Sequence, residues 1–381
     1  MKNNRVIILG DDHHNTLGVI RSFGEKGIRT DVVINYTKHS FVRYSRYIRS
    51  FHTIHSEEDV HSCIEQIIYS DTGLVILFCC SDWFISVIDK AYDRYKGRCV
   101  CFSAGNQCGG EINRLMSKNL QQAIALEAGL NIPKTWILSR NSSIPDDIVF
   151  PCIVKTDLSV EGTKADIVVC ETKEALIKNI SKNVNYIVQE YIEKEYELNV
   201  LGCAVDHGDN SIIPGVIHKI REYPVGKGSS SFSVLKDYTE YPHLNVDGIR
   251  KMMKLMKYDG LFSVEFVCKD HKCYFLEVNF RNDGNGYIPT SAGVNLPYIW
   301  ACSVLKLSYD IPSVSLPHYF MADVRDIFHV KNGTLPFRIW FNDWKRTNCF
   351  LLYNKNDKKP FWGYCKTLFL SAIYKLIGKK Y

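Results

Sequence analysis

Two acidic residues, an amide and an arginine occur close together in residues 261–285 (LFSVEFVCKDHKCYFLEVNFRNDGN). Glu265 lies in a first apolar run. Glu277, Asn279 and Arg281 follow at alternate positions in and just after a second run. Two such runs joined by a short polar segment predict a pair of strands in a hairpin. Since side chains alternate along a strand, the last three residues project from one face, and strand pairing can bring Glu265 to the same face.

These residue types suit phosphoryl chemistry. Carboxylate and amide oxygens are hard ligands that bind Mg²⁺ together with phosphate oxygens. A neighbouring guanidinium can hold a phosphoryl group and stabilise the charge that develops during its transfer. An ordinary polar surface is the alternative, but Glu277 interrupts the apolar run YFLEV with no lysine partner nearby in the sequence. We therefore expect Glu265, Glu277 and Asn279 to bind a metal ion and Arg281 to act in catalysis.

Four charged residues upstream mark the ends of predicted elements. Lys118 begins a helix, and Lys155 ends an apolar strand. Glu190 closes another strand, and Glu197 follows seven residues later in VQEYIEKEYELNV. Alone, either lysine could simply reach solvent, and Glu197 could belong to a solvated charged face. Together with the Glu-x-Asn-x-Arg pattern of residues 277–281, however, these motifs resemble those of the ATP-grasp superfamily over about residues 113–310.

The resemblance implies a role for each motif. Lys118 and Lys155 would contact ATP, Glu190 and Ile192 would present backbone groups to adenine, and Glu197 would hold the ribose hydroxyls. The acidic and amide residues described above would bind Mg²⁺, for which Mn²⁺ can substitute. The implied reaction activates a carboxylate as an acyl phosphate, from which an amine then displaces phosphate with ADP as the other product.

The loop after Lys155 departs from the family pattern. Its sequence, DLSVEGTKAD, contains only Gly162 where family members often carry two or three glycines. Fewer glycines leave fewer backbone N–H groups free to hold phosphate. We expect Ser159 and Gly162 to contact the nucleotide, with Thr163 and Lys164 as additional polar groups.

Residues 1–105 alternate apolar runs with helical patterns, which predicts a parallel sheet with covering helices. Strands are expected at Arg5–Gly10, Thr30–Ile34, Leu74–Cys79 and Arg98–Phe102. The sequence VIILGDDHHNTLGVIRSFGEKGI resembles the pre-ATP-grasp domain of predicted carboligases related to D-aspartate ligase. This narrower resemblance implies an amino acid or a cell-envelope or glycan precursor as substrate.

The fold class predicted for the whole chain is α/β and α+β. A parallel-sheet pre-ATP-grasp domain would span residues 1–105, and a two-subdomain ATP-grasp domain would span 106–312, with a small lid at about 133–192. Residues 313–381 would form a C-terminal extension packed on the catalytic domain. Within the second domain, Tyr223–Ser233 (YPVGKGSSSFS) is expected to be a loop because it is rich in Gly and Ser.

Other candidates have ordinary structural alternatives. Arg221 could act in catalysis by binding a substrate carboxylate or the acyl phosphate, or it could form a structural ion pair. Asn282 and Asp283 could contact substrate or shape a turn. His13 lies in the sequence DDHH, where adjacent histidines rarely converge on one metal ion. We expect Asp or Asn to cap the following helix and keep His13 as a substrate-site candidate.

Composition excludes several classes of protein. The chain of 381 residues has 46% hydrophobic and 23% charged residues and a net charge of +6, too small an excess to predict a nucleic-acid partner. Its fourteen cysteines lack zinc-site spacing and no secretory segment opens the chain, so a reduced cytoplasmic protein is expected. No apolar run is long enough to span a bilayer.

The C-terminal stretch Lys366–Lys380 (KTLFLSAIYKLIGKK) predicts an apolar helix flanked by lysines. Packing on the catalytic domain is the favoured interpretation, and contact with an anionic membrane surface is the alternative. The other expected partners are small-molecule carboxylate and amine substrates and a second copy in a homodimer.

The leading functional hypothesis is thus an ATP-dependent carboxylate–amine ligase. A carboxylase that uses bicarbonate as the acid is a second enzyme hypothesis, although the chain has no biotinyl-lysine motif. A degenerate nucleotide-binding regulator or scaffold is the third, and it would have no need to retain Glu265, Glu277, Asn279 and Arg281 together.

Overall fold

The computed structural model of the protein describes residues 1, 4–69, 73–158, 167–181, 183–226 and 229–376, with side chains to residue 371. In these parts of the chain, three β-sheets of five, eight and four strands organise the fold.

The N-terminal sheet is parallel, with the strand order β3-β2-β1-β4-β5. The central strands β1 and β4 are buried at every position, as expected for apolar parallel strands covered on both faces. The sequence analysis missed β3, an edge strand of mixed polarity. The strands are β1 (Val6–Gly10), β2 (Thr30–Asn35), β3 (Ile48–Ile54), β4 (Val75–Cys79) and β5 (Cys99–Val100).

Helices α1 and α3 begin directly after β1 and β4, so both loops lie at the carboxyl edge of this sheet, where ligands commonly bind. The β1–α1 turn requires a glycine, because a Cβ at Gly10 would collide with the Thr16 hydroxyl. The helices of this half are α1 (His14–Gly24), α2 (Glu57–Tyr69), α3 (Asp82–Lys90), α4 (Tyr92–Tyr95), α5 (Glu111–Leu115) and α6 (Lys118–Glu127).

The lid sheet has four antiparallel strands in the order β6-β9-β7-β8 and lies within the segment 133–192. It packs its own hydrophobic cluster, around Val154, Leu176 and Val188, separate from the main core. Its elements are β6 (Thr135–Leu138), β7 (Cys152–Thr156), β8 (Val168–Cys170), α7 (Lys173–Asn179) and β9 (Tyr186–Glu190).

The central sheet has eight strands in the order β15-β14-β10-β12-β13-β16-β17, with β11 paired to β10. Its elements are β10 (Tyr196–Val205), β11 (Asn210–Ile212), β12 (Val216–Tyr223), β13 (Ser229–Lys236), α8 (Val246–Met256), β14 (Gly260–Lys269), β15 (Lys272–Asn279), α9 (Tyr287–Ser291) and α10 (Leu296–Val304).

The loop predicted for residues 223–233 is wrong beyond residue 228, because β13 begins at Ser229. Ser231 and Ser233 are small enough to be buried in the sheet, and the Ser231 hydroxyl donates a hydrogen bond to Asp326 Oδ1 at 2.7 Å.

The C-terminal region joins the central sheet directly, because β16 pairs with β13. It also contacts the N-terminal domain. Arg21 of α1 is fully buried, donates to the carbonyls of Leu351 and Leu352, and forms an ion pair with Asp357 at 3.2 Å. The elements are β16 (His318–Met321), α11 (Asp323–Lys331), α12 (Phe337–Arg346), β17 (Cys349–Phe350) and α13 (Lys359–Leu376). Across the described residues, no helix has the length and apolarity needed to cross a membrane.

Candidate active site

A cleft of about 840 Å³ is lined by residues from all three sheets. The N-terminal sheet contributes the loops that follow β1 and β4. The lid contributes Lys155 at the end of β7, and the central sheet contributes strands β10, β12, β14 and β15. The cleft therefore lies where loops, lid and sheet can contact one ligand together.

The acidic residues of the hairpin meet on the cleft side of β14 and β15. Glu265 and Glu277 are directly opposite each other in the strand register, and Asn279 Nδ2 donates to Glu265 Oε1 at 3.3 Å. Burial and the negative charge of Glu277 raise the pKa of Glu265. Two carboxylates forced together in this way form a site that favours a cation.

Arg281 lies at the end of the same face. Its Nε donates to Asp82 Oδ1 at 2.8 Å, its Nη2 donates to Asn279 Oδ1 at 3.3 Å, and its Nη1 is 3.9 Å from Asp283 Oδ2. Burial acts to lower the pKa of Arg281, but Asp82 and Asp283 together hold that pKa above its ordinary value. Asp82 thus fixes the guanidinium in place, a role that the sequence analysis missed because Asp82 comes from the other domain.

The two predicted lysines both line the cleft. Lys118 Nζ lies 3.9 Å from Glu277 Oε2, so folding gives Glu277 a lysine partner that is distant in the sequence. Lys155 is only 8% exposed, and burial lowers its pKa to about 8. Within the described part of the chain its ammonium group forms no hydrogen bond or ion pair. A buried cation in that state is poorly stabilised until an anion binds.

Glu197 also lines the cleft, from β10. It forms close ion pairs with Lys194 and with Lys219 of β12. Burial acts to raise the pKa of Glu197, but the two lysines hold it below its ordinary value. Lys219 Nζ is in addition 3.0 Å from Glu222 Oε2. Lys219 was not identified from the sequence, although it lies two residues before Arg221 on β12.

The remaining nucleotide candidates are less well placed by the structure. Glu190 ends β9, where its N–H donates to the Lys134 carbonyl at 3.0 Å and its Oε1 accepts from Lys134 N at 2.9 Å. Neither Glu190 nor Ile192 is among the residues that line the cleft. Ser159 and Gly162 lie outside the described residues.

His13 caps α1, since its Nδ1 accepts a hydrogen bond from Asn15 N at 3.2 Å. The expected Asp or Asn cap is therefore wrong; a ring nitrogen fills that role instead. Asn282 is buried, exchanges hydrogen bonds with Asn15 and does not line the cleft, so it links the segment after β15 to the start of α1. Asp283 lines the cleft, and its Oδ1 accepts from Asn285 N at 2.8 Å as in a turn.

A smaller pocket of about 60 Å³ adjoins the cleft and shares Asp12, His13 and His14 with it. Burial holds the pKa of His14 well below its usual value, so this ring is neutral at pH 7. Arg325, from the first turn of α11, also lines the pocket, and its guanidinium has no hydrogen bond or ion pair with any described residue. Nothing in the local sequence distinguishes this arginine from a surface one.

Arg221 does not line the cleft. Its guanidinium is held between Asp326, at 2.8 Å, and Asp343, and its Cζ lies 4.5 Å from the centre of the Phe232 ring. This geometry corresponds to the structural ion pair rather than to a catalytic residue, because both carboxylates already satisfy the guanidinium.

Solved structures with this architecture include several ATP-dependent enzymes. An L-amino acid ligase from Bacillus licheniformis superposes with a TM-score of 0.61 at 14% identity, covering 80% of this chain and 75% of that one. An ADP complex of N5-carboxyaminoimidazole ribonucleotide synthetase gives 0.64 at 12% identity, covering 87% and 86%. The biotin carboxylase domain of Hydrogenobacter thermophilus 2-oxoglutarate carboxylase, with MgADP and bicarbonate, gives 0.64 at 15% identity, covering 84% and 74%. The protein therefore has an ATP-grasp fold, and the predicted fold class is confirmed.

Sequence similarity alone is weaker. No protein-family model matches the chain. Carbamoyl phosphate synthase large chains are similar over part of it: 28% identity over 163 residues for the Archaeoglobus fulgidus protein, and 25% over 182 residues for the C-terminal section from Aquifex aeolicus. These matches cover 40% and 45% of this chain but only 15% and 33% of the relatives' own length.

Proposed function

We propose that the protein is an ADP-forming ligase that uses ATP to activate a carboxylate and joins it to an amine. The observation that carries this proposal is the arrangement of incompletely neutralised charges in one cleft. Glu265 and Glu277 repel each other, and among the described residues the buried ammonium group of Lys155 forms no ion pair, although both carboxylates attract it from a distance. A metal ion bound together with a polyphosphate would neutralise both sets of charges.

The donor set fits a divalent cation. Glu265, Glu277 and Asn279 offer two carboxylates and an amide, the oxygen ligands that Mg²⁺ and Mn²⁺ prefer. Among the described residues, no group of three or more His, Cys, Asp or Glu could hold a metal ion by itself. The cation would therefore share its coordination with phosphate oxygens, and when bound it would supply the charge neutralisation that phosphoryl transfer requires.

The proposed reaction has two steps. A substrate carboxylate oxygen attacks the γ-phosphorus of ATP, so that an O–P bond forms as the bond to ADP breaks. The amine nitrogen then attacks the acyl carbon, loses a proton and expels phosphate. Lys118 and Lys155 would hold phosphate oxygens, and Arg281, positioned by Asp82, would stabilise the charge on the transferred group.

The other predicted contacts remain part of the proposal. Glu197 would accept hydrogen bonds from the ribose hydroxyls, and Glu190 and Ile192 would face adenine through their backbone after movement of the lid. Ser159 and Gly162 would cover the phosphates. The structural likeness to an L-amino acid ligase supports an amino acid as one substrate, with a D-aspartate ligase-like, cell-envelope role as the narrower proposal.

Release of ADP and phosphate from the purified full chain tests this proposal. Carboxylates and amines are supplied singly and in pairs with Mg-ATP. Product that requires both partners is the expected result. ATP hydrolysis that no acid–amine pair stimulates, together with tight nucleotide binding, would instead favour a regulator or scaffold.

A carboxylase that uses bicarbonate is a second candidate, because two of the three structures described above use or make carboxylated compounds according to their names. In that case bicarbonate alone would stimulate phosphate release in the presence of an acceptor amine, and labelled bicarbonate would enter the product. A ligase of the first kind is indifferent to bicarbonate and incorporates the acid instead.

A further inference from the structure

Three of the four aromatic residues of helix α12 (FRIWFNDWKR) are exposed, and the fourth, Trp340, is half-buried. Phe337, Trp340, Phe341 and Trp344 follow the i, i+3, i+4, i+7 spacing of one helix face. Neighbouring rings along this stripe are 5.7 to 6.0 Å apart. In a globular protein such a stripe normally packs on the core, yet Phe337 is 59%, Phe341 37% and Trp344 43% exposed.

The outward orientation is set by polar contacts on another side of the same helix. Asp343 is buried, and it forms ion pairs with Arg221 of the central sheet and with Arg346. Turning the aromatic stripe inward would break this ion pair and leave the charge of Arg221 without one of its partners. The exposed aromatic face is therefore a consequence of how α12 is anchored.

The C-terminal part of the sequence is strongly positive. Residues 331–381 contain eleven Lys or Arg and two Asp, a net charge of +9, whereas the whole chain is +6, so residues 1–330 carry −3. Both aspartates, Asp343 and Asp357, are buried in ion pairs with arginines. Arg338 and Lys345 are exposed beside the stripe, and Lys345 Nζ lies 4.5 Å from the centre of the Phe341 ring.

We propose that this aromatic stripe and its flanking basic residues dock the protein on the surface of an anionic lipid bilayer. Phe and Trp side chains insert at the headgroup level, and lysine and arginine beside them are attracted by anionic headgroups. A second copy of the same face would bring like charges together, which disfavours a dimer through this surface. The first two turns of α13 expose a further large aromatic, Trp362.

From the sequence, membrane contact was a possibility only for residues 366–380. The structure moves that inference to α12, where spacing, exposure and charge agree. The proposal is independent of the ligase reaction, because it uses no residue of the cleft.

Co-sedimentation of the full chain with vesicles tests the proposal, using phosphatidylcholine alone or with one third phosphatidylglycerol. We expect binding to the anionic vesicles only, and its loss at high salt. The double change Phe341→Ser with Trp344→Ser should weaken binding at least about tenfold. Replacing Arg338 and Lys345 by Gln should weaken it by about 25-fold. The control Leu126→Ser removes an even more exposed apolar side chain, 62% exposed, from α6 and should bind like the wild type.

Two further readouts keep the result interpretable. Trp344→Phe should retain binding but lose part of the blue shift in tryptophan fluorescence that vesicles induce. The double variant should keep the wild-type urea midpoint, which excludes misfolding. The proposal is overturned if anionic vesicles do not bind the wild type, or if the double variant and Leu126→Ser bind alike. It is also overturned if the stripe instead supports a dimer in light scattering, or if only an acidic protein binds there.

Discussion

The cleft and the Arg221 cluster are both charged, partly buried regions of the central sheet, but their charges are arranged differently. In the Arg221 cluster, the arginine is paired with Asp326 and Asp343, and Ser231 donates another hydrogen bond to Asp326. In the cleft, Glu265 faces Glu277, and Lys155 is buried with no ion pair among the described residues.

The completeness of the ion pairs distinguishes a structural charge cluster from a binding site in the same sheet. A closed set of ion pairs needs nothing more, and breaking it leaves a buried charge unpaired. An open set destabilises the free protein and becomes favourable only when a ligand of opposite charge completes it. The two regions should therefore respond to mutation in opposite ways.

The largest effect on stability is expected at the closed cluster. Arg221→Met leaves Asp326 without its arginine and Asp343 with Arg346 alone, and should lower the free energy of unfolding by about 3–5 kcal/mol. Urea denaturation measures this loss. Lys236→Met, which removes an exposed ion pair with Glu240, is the matched control and should cost no more than about 1 kcal/mol. A loss of nucleotide affinity in Arg221→Met with unchanged stability would place Arg221 in the active site after all.

Removing the arginine of the open site should instead affect catalysis. Arg281→Ala is expected to raise the barrier of the chemical step by about 2.7–4 kcal/mol, the usual cost of one electrostatic donor. Measuring both turnover and nucleotide affinity distinguishes a role in the chemical step from a role in binding ATP. If only affinity falls, Arg281 binds ATP without stabilising the transferred phosphoryl group.

Lys155→Met should stabilise the nucleotide-free protein, the opposite of the change at Arg221. The lysine has a folded-state pKa of about 8 against 10.5 when unfolded, so its charge costs about 3 kcal/mol at pH 7. Between these two values the folded state binds fewer protons than the unfolded state. The free energy of unfolding of the wild type therefore rises as pH increases from about 8 to 10.5, and Lys155→Met has lost its stability advantage by about pH 10.5.

Urea midpoints at pH 7 and pH 10.5 measure the stability of Lys155→Met relative to the wild type, with a variant of the exposed Lys272, Lys272→Met, as control. A Lys155→Met protein that is less stable than the wild type at pH 7 would mean that the ammonium group already has a partner in the free protein.

The smallest effect is expected at the pocket beside His13 and His14. We expect the guanidinium of Arg325, which has no ion pair with any described residue, to hold a carboxylate or phosphate of one substrate, since a pocket of about 60 Å³ admits only a small group. Arg325→Gln should raise the KM for that substrate about tenfold and leave nucleotide affinity unchanged. Equal effects on every substrate would indicate a structural role instead.

The sequence was sufficient where local periodicity and chemistry coincide. Strand alternation placed Glu277, Asn279 and Arg281 on one face, and the parallel N-terminal sheet followed from its apolar runs. The sequence was insufficient where partners are distant along the chain. The contact of Asp82 with Arg281 and the pairing of Arg221 with Asp343 both depend on tertiary packing. Strand β13 was missed because a run rich in Gly and Ser favours a loop until neighbouring strands bury it.

The most direct test of the central claim is the free energy of unfolding as Mg²⁺ and a non-hydrolysable ATP analogue are titrated together. The account predicts a Mg²⁺-dependent rise that reaches about 2.7 kcal/mol at a hundredfold excess over the dissociation constant. It also predicts that Glu277→Gln, which keeps the shape but removes one carboxylate charge, eliminates the Mg²⁺ dependence. No rise at millimolar nucleotide, or an equal rise in Glu277→Gln, would contradict the assignment of this cleft as a Mg-ATP site.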